Sequence, residues 1–438
     1  MTSTTPGAPW GSTARGVDTR KKPDYLSKLI GNLPNSWILM AEPGTPRLLR
    51  AINDRSVLEL LLADGPLSRP ALGDLTGLSR PTMSQVLSRL TAAGLVRPSG
   101  SSPGRRGPNA VLYEIEPRAA HVAGLDVTPR RIRAAVADLT GRIVGRHELP
   151  TPGRAAGDTV ALVTDALDAA CRDAGVDRAV LRRTVVGTPG AFDPGTQRLR
   201  YARHLPGWHD PSLLDRLRDA VAMPVDFDND VNLAAVAELA LGAARGSENF
   251  VLLWGEEGVG AAIVIGGHLH RGFTGGAGEV GFMPLPGTPL VRNVGVNNAG
   301  GFQELAGARA VLALARAHGI RAATAEDAVA KATRTGGGEP FLTELGRRLA
   351  VGLAAIVAVL DPELVIMSGG VISAGGEPLR DLVRRELHAL SLCRPRMELT
   401  GVPDDPVLNG AVHAALGVTR DLVFNTNDSA TGARTAVE

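Results

Sequence analysis

Apolar residues recur at helical spacing within residues 79–96, SRPTMSQVLSRLTAAGLV. Five of them fall at positions i, i+3, i+4, i+7 and i+10, which is the spacing of one buried stripe on a helix. They are Met83, Val86, Leu87, Leu90 and Ala93. Ser79 can cap the start of this helix, Pro81 suits its first turn and Gly94 ends it. Two helices are predicted before it, over 50–64 and from Ser68, and a two-stranded hairpin after it, to residue 115.

The opposite face of the third helix is polar, and its groups suit base edges and phosphates in a major groove. The candidate contacts are Ser79, Arg80, Thr82, Ser84, Gln85, Ser88 and Arg89. The hairpin loop carries Arg105 and Arg106, which can enter a narrow minor groove. Nine arginines minus five acidic residues give residues 47–115 a charge of +4. These features resemble a winged helix-turn-helix and predict binding to double-stranded DNA; the alternative is a protein-docking module with a solvated polar face.

From residue 119 onward, predicted strands alternate with predicted helices, a pattern typical of α/β domains. Residues 124–141 read as strand, turn and strand, with Asp126 at the end of the first strand. Turns that bind phosphate usually contain glycine, because bare backbone N–H groups must approach the oxygens closely. This turn instead contains Pro129, which has no N–H to donate.

Composition sets the outer limits of the molecule. A chain of 438 residues predicts two or three domains, and its 44% hydrophobic and 3% aromatic content predicts large cores built from Ala, Val and Leu. The net charge of +2 is too small for nucleic-acid or membrane binding by the whole surface. Cys171 and Cys393 form neither a disulfide framework nor a metal set, which fits a reducing cytoplasm. With no long apolar run and no signal pattern, we expect a soluble, cytoplasmic protein without a membrane partner.

The same patterns predict four regions. Residues 1–45, rich in Thr, Pro, Gly and Ser, are expected to form a disordered arm, and residues 424–438 a disordered tail. Between them lie the DNA-binding domain (46–117) and the α/β domain (118–423).

Several motifs follow one another along the α/β domain. They are GLDVTPRRIRAAVADLTGRIV, VVGTPGAFDPGTQRLR, MPVDFDND, FVLLWGEEGVGAAIVIGG, GAGEVGF, GGFQEL and VGLAAIVAVLDPELVIMSGGVIS. In this order they resemble the ROK family (repressors, open reading frames and sugar kinases) over about residues 48–420. The resemblance implies an α/β fold of the actin-like, ribonuclease-H-like class, with two lobes, a ligand cleft between them and a sugar as the usual ligand. A preceding domain of helices and a wing resembles the family's regulator branch.

The resemblance also implies which residues line the cleft. In family kinases the Asp of an Asn-Asp pair is the catalytic base, and the pair here is Asn229-Asp230. Glu279 and Glu304 match the sugar-binding carboxylates, which are good sugar ligands because each accepts several hydroxyl hydrogen bonds. Pro189 and Gly190, in TPGAF, match the loop against the sugar. Phe282 stands where the family places a His that touches both sugar and zinc.

Three departures from the kinase pattern decide the expected mechanism. The Asp-x-Gly-Gly-Thr turn is replaced by Asp126-Val127-Thr128-Pro129-Arg130, and the Gly-Thr-Gly loop by residues 255–258, GEEG. Carboxylates at contact distance repel a triphosphate by roughly 1–4 kcal/mol per charge pair. Phe282 replaces the zinc-binding His, and residues 291–305 contain none of the family's cysteines, so no zinc site is expected. The retained glycines of SGG (368–370) are interpreted as helix-packing turns.

The leading hypothesis is a kinase-inactive transcriptional regulator, a repressor, that uses no cofactor and senses a carbohydrate-related effector. Because Phe282 makes the pocket more apolar, a deoxy, amino, aryl-linked or non-sugar effector is also open. A homodimer or homotetramer would recognise a palindromic operator with half-sites in successive major grooves. The alternatives are an active ATP-dependent sugar kinase with a DNA-binding domain, which the retained Asp230 motivates, and a regulator controlled by a protein partner.

Overall fold

The structure is a computed structural model that describes residues 46–102, 110–151, 158–193, 198–200, 208, 210, 212–292, 300–334 and 337–425. The predicted N-terminal arm, Arg105 and Arg106 of the hairpin loop, and all but two residues of the predicted tail lie outside these ranges.

The N-terminal unit contains three helices and a small antiparallel sheet. The helices are α1 (Pro46–Asp64), α2 (Arg69–Thr76) and α3 (Arg80–Ala92). Strands β1 (Leu67–Ser68), β2 (Val96–Ser102) and β3 (Ala110–Ile115) pair in the order β1-β3-β2. Ser79 caps α3 as predicted, because its hydroxyl accepts a hydrogen bond from the backbone N–H of Thr82.

The predicted stripe on α3 is confirmed at four positions and wrong at the fifth. Met83, Val86, Leu87 and Leu90 are buried in the core of this unit. Ala93 is exposed. The helix ends at Ala92 and the chain turns at Gly94, whose φ of 69° lies in the left-handed region that favours glycine. The stripe therefore stops one turn earlier than the spacing predicts.

The first lobe of the α/β part contains a five-stranded sheet. Strands β4 (His121–Val127), β5 (Arg131–Asp138) and β6 (Ile143–Pro150) form an antiparallel meander. After helix α4 (Thr159–Ala174), strand β7 (Leu181–Thr188) pairs in parallel with β4. A short hairpin, β8 (Ala191–Asp193) and β9 (Arg198–Arg200), and helix α5 (Leu213–Val221) lead to β10 (Val225–Asn229), which pairs in parallel with β7.

The second lobe repeats this topology. After helix α6 (Asp230–Leu241), strands β11 (Phe250–Gly255), β12 (Val259–Ile265) and β13 (His268–Leu269) form the meander. Helices α7 (Phe302–Ala306), α8 (Ala308–Ala317), α9 (Ala325–Arg334) and α10 (Glu339–Leu360) precede β14 (Leu364–Ser368), which pairs in parallel with β11. Helix α11 (Gly370–Leu390), which is kinked at Gly376, β15 (Arg396–Leu399) and helix α12 (Pro406–Phe424) are the last elements of the described part of the chain.

The two large sheets have equivalent strand orders, β6-β5-β4-β7-β10 and β13-β12-β11-β14-β15. In each, the first strand of the meander pairs in parallel with the fourth strand, and the fifth strand lies at the edge. This duplicated arrangement is the actin-like, ribonuclease-H-like architecture that the sequence motifs predict. Side chains of α6 and α12 fill one core together with residues of both sheets. Both lobes are thus joined through two shared helices.

Helix α12 returns from the second lobe to the first and continues to the N-terminal unit. Phe424, its last residue, is buried in the same core as Met83 and Leu90. The prediction that the tail begins at residue 424 was therefore wrong at that residue, because an apolar side chain reaches a core built from distant sequence. None of the helices in the described part of the chain combines the length and the apolar composition needed to cross a membrane.

Candidate functional site

Asn229 lies where β10 ends and α6 begins, and its side chain organises the junction. Its Oδ1 accepts hydrogen bonds from the backbone N–H groups of Val231 and Asn232, at 2.9 and 3.2 Å, which caps α6. Its Nδ2 donates to the carbonyl of Gly190, 3.2 Å away. Gly190 follows Pro189 and has a φ of 96°. The structure thus brings the predicted loop and the predicted Asn-Asp pair together at the carboxyl ends of two parallel strands, where α/β sheets commonly bind ligands.

Asp230 faces a concentration of negative charge. Burial, with smaller contributions from the charges of Asp126, Glu256 and Glu279, raises the pKa of Asp230 to about 8, against the opposing effect of a hydrogen bond from the Val231 N–H. Asp126 comes from the end of β4 in the first lobe, and Glu256 and Glu279 come from the second. We call these four side chains the carboxylate group. The cleft therefore disfavours any additional anion near Asp230.

The other members of the carboxylate group are perturbed in the same direction. Burial raises the pKa of Asp126 to about 6, against the opposing effect of the nearby Arg133. Burial also raises the pKa values of Glu256 and Glu279. Aligned shifts of this kind make the cleft a functional-site candidate on physical grounds.

Glu279 precedes a single 3-10 turn, Val280–Phe282, whose last residue is Phe282 and which lies against β12. A Cβ atom on Gly278 would lie 2.0 Å from the carbonyl oxygen of Ala261, so only glycine allows this approach. Phe302 at the start of α7 donates its N–H to the Met283 carbonyl at 3.0 Å, which holds α7 beside the turn. Glu304 lies on α7 with an exposed side chain. Among the described contacts, Glu304 is not joined to the carboxylate group, whereas Glu279 is.

Sequence reasoning missed an ion pair beside the cleft. Arg271, after β13 in the second lobe, donates from Nε and Nη2 to Oδ2 of Asp228, at 3.1 and 2.7 Å. Asp228 lies on β10 next to Asn229, and its Oδ1 also accepts from the Nδ2 of Asn232. The pair connects the two lobes at the candidate site. The only sequence signal was a second acid in DFDN, and its partner lies 43 residues away.

The polar face of α3 is presented as predicted at several positions. Ser79, Arg80, Gln85 and Ser88 are exposed, and Thr82 and Ser84 are half-buried. The hydroxyl of Ser84 donates to the Arg80 carbonyl at 3.0 Å and accepts from Nη1 of Arg69 at 3.3 Å. Arg69 also reaches the hydroxyl of Tyr113 at 3.2 Å, so it links α2, α3 and β3. Sequence reasoning assigned no contact to Arg69.

Arg89 is the exception on this face. Its guanidinium donates to both carboxylate oxygens of Asp54, a buried residue of α1. A buried carboxylate requires a charged or hydrogen-bonding partner. Arg89, predicted to face the duplex, is therefore the counter-ion that fastens α3 to α1.

Comparison with known proteins identifies the larger part of the chain. A sequence profile of the ROK family matches residues 122–405. The chain belongs to the ROK family. A profile of the MarR family matches residues 52–107, across α1 to α3 and into the hairpin loop.

Three relatives illustrate the range of this family. A putative xylose repressor of Caldicellulosiruptor sp. (strain Rt8B.4) is 24% identical over 388 residues, covering 84% of this chain and 96% of its own length. The crystal structure of a ROK family transcriptional regulator, a homologue of the E. coli MLC protein, superposes with a TM-score of 0.69 at 20% identity, covering 86% of this chain and 99% of its own. A ROK hexokinase from Thermus thermophilus superposes with a TM-score of 0.57 at 30% identity, covering 69% and 99%.

The two loops that correspond to phosphate loops in ROK kinases use their own polar groups internally. In the β4–β5 turn, the N–H and the hydroxyl of Thr128 donate to the Arg131 carbonyl at 2.9 and 3.0 Å. The Arg131 N–H donates back to the Thr128 hydroxyl at 3.2 Å. In the β11–β12 loop, the Glu256 N–H donates to the Gly258 carbonyl at 3.0 Å. These backbone N–H groups are therefore already hydrogen-bonded within their own loops and are not available to a phosphate.

Carboxylates also surround the β11–β12 loop. The pKa of Glu256 is raised by burial and by the charges of Glu257 and Glu326, and the nearby Arg130 opposes the shift. Glu326 also lies against the SGG turn, since a Cβ atom on Gly370 would be 3.2 Å from its carboxylate. At the same turn, a Cβ atom on Gly369 would lie 2.5 Å from the Gly255 carbonyl oxygen, which agrees with a packing role for these glycines.

The residues at the usual ROK zinc position do not fit a zinc ion. Phe282 supplies no ligand where the family has a His, and residues 291–305 contain no cysteine. Within the described ranges, no group of three or more His, Cys, Asp or Glu side chains is arranged to hold a metal.

Proposed function

We propose that this chain is a DNA-binding transcriptional regulator, a repressor, whose ROK lobes bind a carbohydrate-related effector without phosphorylating it. The N-terminal unit would bind an operator through α3 and the hairpin. The putative xylose repressor, similar over 84% of this chain, supports the repressor assignment. The effector would act by binding one arrangement of the lobes more tightly than the other, since only differential affinity shifts such an equilibrium.

The observation that carries the kinase-inactive assignment is Glu256, the member of the carboxylate group that lies in the altered Gly-Thr-Gly loop, because the other three members match carboxylates that family kinases also have. Asp126, Asp230, Glu256 and Glu279 converge from both lobes, and the pKa of each is raised. A triphosphate would add several negative charges to a site where ionisation of the carboxylates is already unfavourable. A neutral or amino sugar would not, because its hydroxyl or ammonium groups can donate to carboxylates. The cleft therefore suits a sugar better than it suits ATP.

A coupled assay with ATP and a panel of hexoses, amino sugars and deoxy sugars tests this assignment. We expect no turnover above that of Asp230→Asn. The same panel, applied without ATP in thermal-shift measurements, should contain a ligand that raises the melting temperature. Turnover that disappears in Asp230→Asn would contradict the proposal and establish a sugar kinase.

That second function, an active sugar kinase, is favoured by one observation. Asp230 keeps the position of the family's catalytic base, and a pKa of about 8 suits proton abstraction near neutral pH. The ROK hexokinase from Thermus thermophilus, at 30% identity, shows that the fold accommodates this chemistry in a relative. The occupied loop donors argue against it in this chain.

Binding selection from random duplexes, followed by fluorescence anisotropy, tests the DNA-binding assignment. A two-fold oligomer should select a palindromic site. Gln85→Ala should narrow the affinity gap between the selected and a scrambled duplex by about 1–3 kcal/mol if Gln85 reads a base. Its exposed position predicts unchanged thermal unfolding. An unaltered affinity gap would mean that Gln85 does not contribute to base recognition. Failure to select any duplex would refute the DNA-binding assignment.

A further inference from the structure

A cavity of about 640 Å³ lies between the N-terminal unit and the first lobe, away from the cleft. Its lining includes Arg97 of β2, Glu116 and Arg118 of the segment that joins the two parts, His121 of β4, Asp138 of β5 and Arg142 of the following turn. We call it the junction cavity. Its size is that of a small-metabolite site. A ligand held there would contact both the wing strand and the sensor lobe.

The carboxylates of the junction cavity are already engaged. Glu116 accepts from the Arg118 backbone N–H at 3.1 Å and lies 3.6 Å from the Arg97 guanidinium. Oδ1 of Asp138 accepts from the backbone N–H of Thr140 at 2.9 Å and from that of Arg142 at 3.3 Å. Arg97 therefore offsets the charge of Glu116, whereas the donors to Asp138 are neutral and leave its charge in place.

In contrast to the Glu116 carboxylate, the guanidinium groups of Arg118 and Arg142 have no oppositely charged partner among the described residues. Neither forms an ion pair with any of the residues that the structure describes, and both side chains are exposed. Two unpaired guanidinium groups in the lining exceed the one remaining charge of Asp138, so the cavity attracts an anion. Guanidinium forks match phosphate oxygens in geometry and remain charged at every physiological pH.

We propose that the junction cavity binds a phosphate monoester, of the size of a phosphorylated sugar, between Arg118 and Arg142. His121, which is buried, would donate a hydrogen bond to the same group, and Oδ2 of Asp138 would accept from a sugar hydroxyl. Because Arg97 lies on β2, a ligand bound in the junction cavity would stabilise the contact between this strand and the first lobe. The site goes beyond the proposed effector cleft, since it adds a second ligand of opposite charge preference.

The test uses the full chain and isothermal titration with inorganic phosphate and with glucose 6-phosphate. Glucose and sodium chloride at matched ionic strength serve as reference ligands. Saturable binding of glucose 6-phosphate, tighter than that of phosphate, is expected, with neither reference ligand binding at this site. Equal affinities for inorganic phosphate and glucose 6-phosphate would overturn the proposal of a sugar-sized ester. The cavity would then bind phosphate without recognising the sugar.

Two double variants separate the site from general electrostatics. Arg118→Gln with Arg142→Gln should weaken phosphate-ester binding at least tenfold. Arg309→Gln with Arg385→Gln, which removes the same charge from exposed positions of the second lobe, should leave it unchanged. Circular dichroism would establish that both proteins are folded. Equal losses in the two variants, or no loss in the first, would overturn the proposal.

Duplex binding by the unliganded variants distinguishes this inference from the proposed function. If Arg118 and Arg142 instead contact the DNA backbone, their loss lowers duplex affinity and reduces its salt dependence, with no phosphate-ester binding in the wild type. That result would overturn the junction site while leaving the DNA-binding assignment intact. Unchanged duplex affinity together with lost ester binding would support the junction site.

Discussion

Asp230 shows at the scale of one residue what sequence reasoning can and cannot reach. The Asn-Asp motif located the residue and its place at the end of a strand. It could not show that three other acids, from segments up to about a hundred residues away, surround its carboxylate. The helical pattern of residues 79–96 likewise could not show that Arg89 binds Asp54, because such a pattern predicts the face on which a side chain lies and not its partner.

Asp230→Asn should remove a pH-dependent penalty on folding. The unfolded chain releases the Asp230 proton near its ordinary pKa, whereas the folded protein keeps it to a pKa of about 8. Between these values the folded state binds more protons, so stability falls as pH rises and the loss is complete above pH 8. We expect the variant to exceed the wild type by about 1–3 kcal/mol at pH 8 and by less at pH 5.

Chemical denaturation across pH 5–9 would measure this difference. Asp219→Asn, an exposed carboxylate on α5, is the matched control and should show an offset that does not change with pH. A constant difference for Asp230→Asn as well would mean that the charge of Asp230 is fully solvated.

At the scale of elements, local sequence signals were sufficient to predict a helix or strand wherever its buried residues recur at regular spacing. The caps of α2 and α3 and the buried stripe of α3 follow from such signals. The contact between α6 and α12 does not, because it depends on Gly410 meeting Leu233 from a distant segment. A Cβ atom on Gly410 would lie 1.8 Å from the Leu233 carbonyl oxygen. The backbones of the two helices therefore meet at this glycine.

Gly410→Ala should separate α6 from α12 and destabilise the protein by about 1–3 kcal/mol, as overpacking in a dense core does. Gly417→Ala, in the same helix but with no atom within 4 Å of the new Cβ, is the control. It should stabilise by about 0.5–1 kcal/mol, because alanine is the better helix former. Urea unfolding of both variants would check the opposite signs, and equal effects would show that the helix contact is loose.

At the scale of the whole molecule, α12 connects the candidate cleft with the DNA-binding unit. Asp405, just before the helix, binds the guanidinium of Arg133, which itself lies 3.9 Å from Asp126 of the carboxylate group. Near its other end, Asp421 binds Arg55 of α1 at 2.7 Å. A division of the sequence into consecutive domains could not reveal this arrangement, because residues near both ends of the chain share one core.

Phe424→Ala tests whether α12 transmits effector binding to the operator. Phe424 is fully buried among residues of the N-terminal unit, so its truncation should cost about 3–5 kcal/mol and loosen that unit from the lobes. Calorimetry should then resolve two unfolding transitions, and the effector should change operator affinity less than in the wild type. Leu422→Ala, at a position 64% exposed on the same turn, is the control and should preserve both properties. If Phe424→Ala kept a single transition and full effector response, the signal would have to pass through the β5–β6 turn, where Leu139 enters the same core, and not through α12.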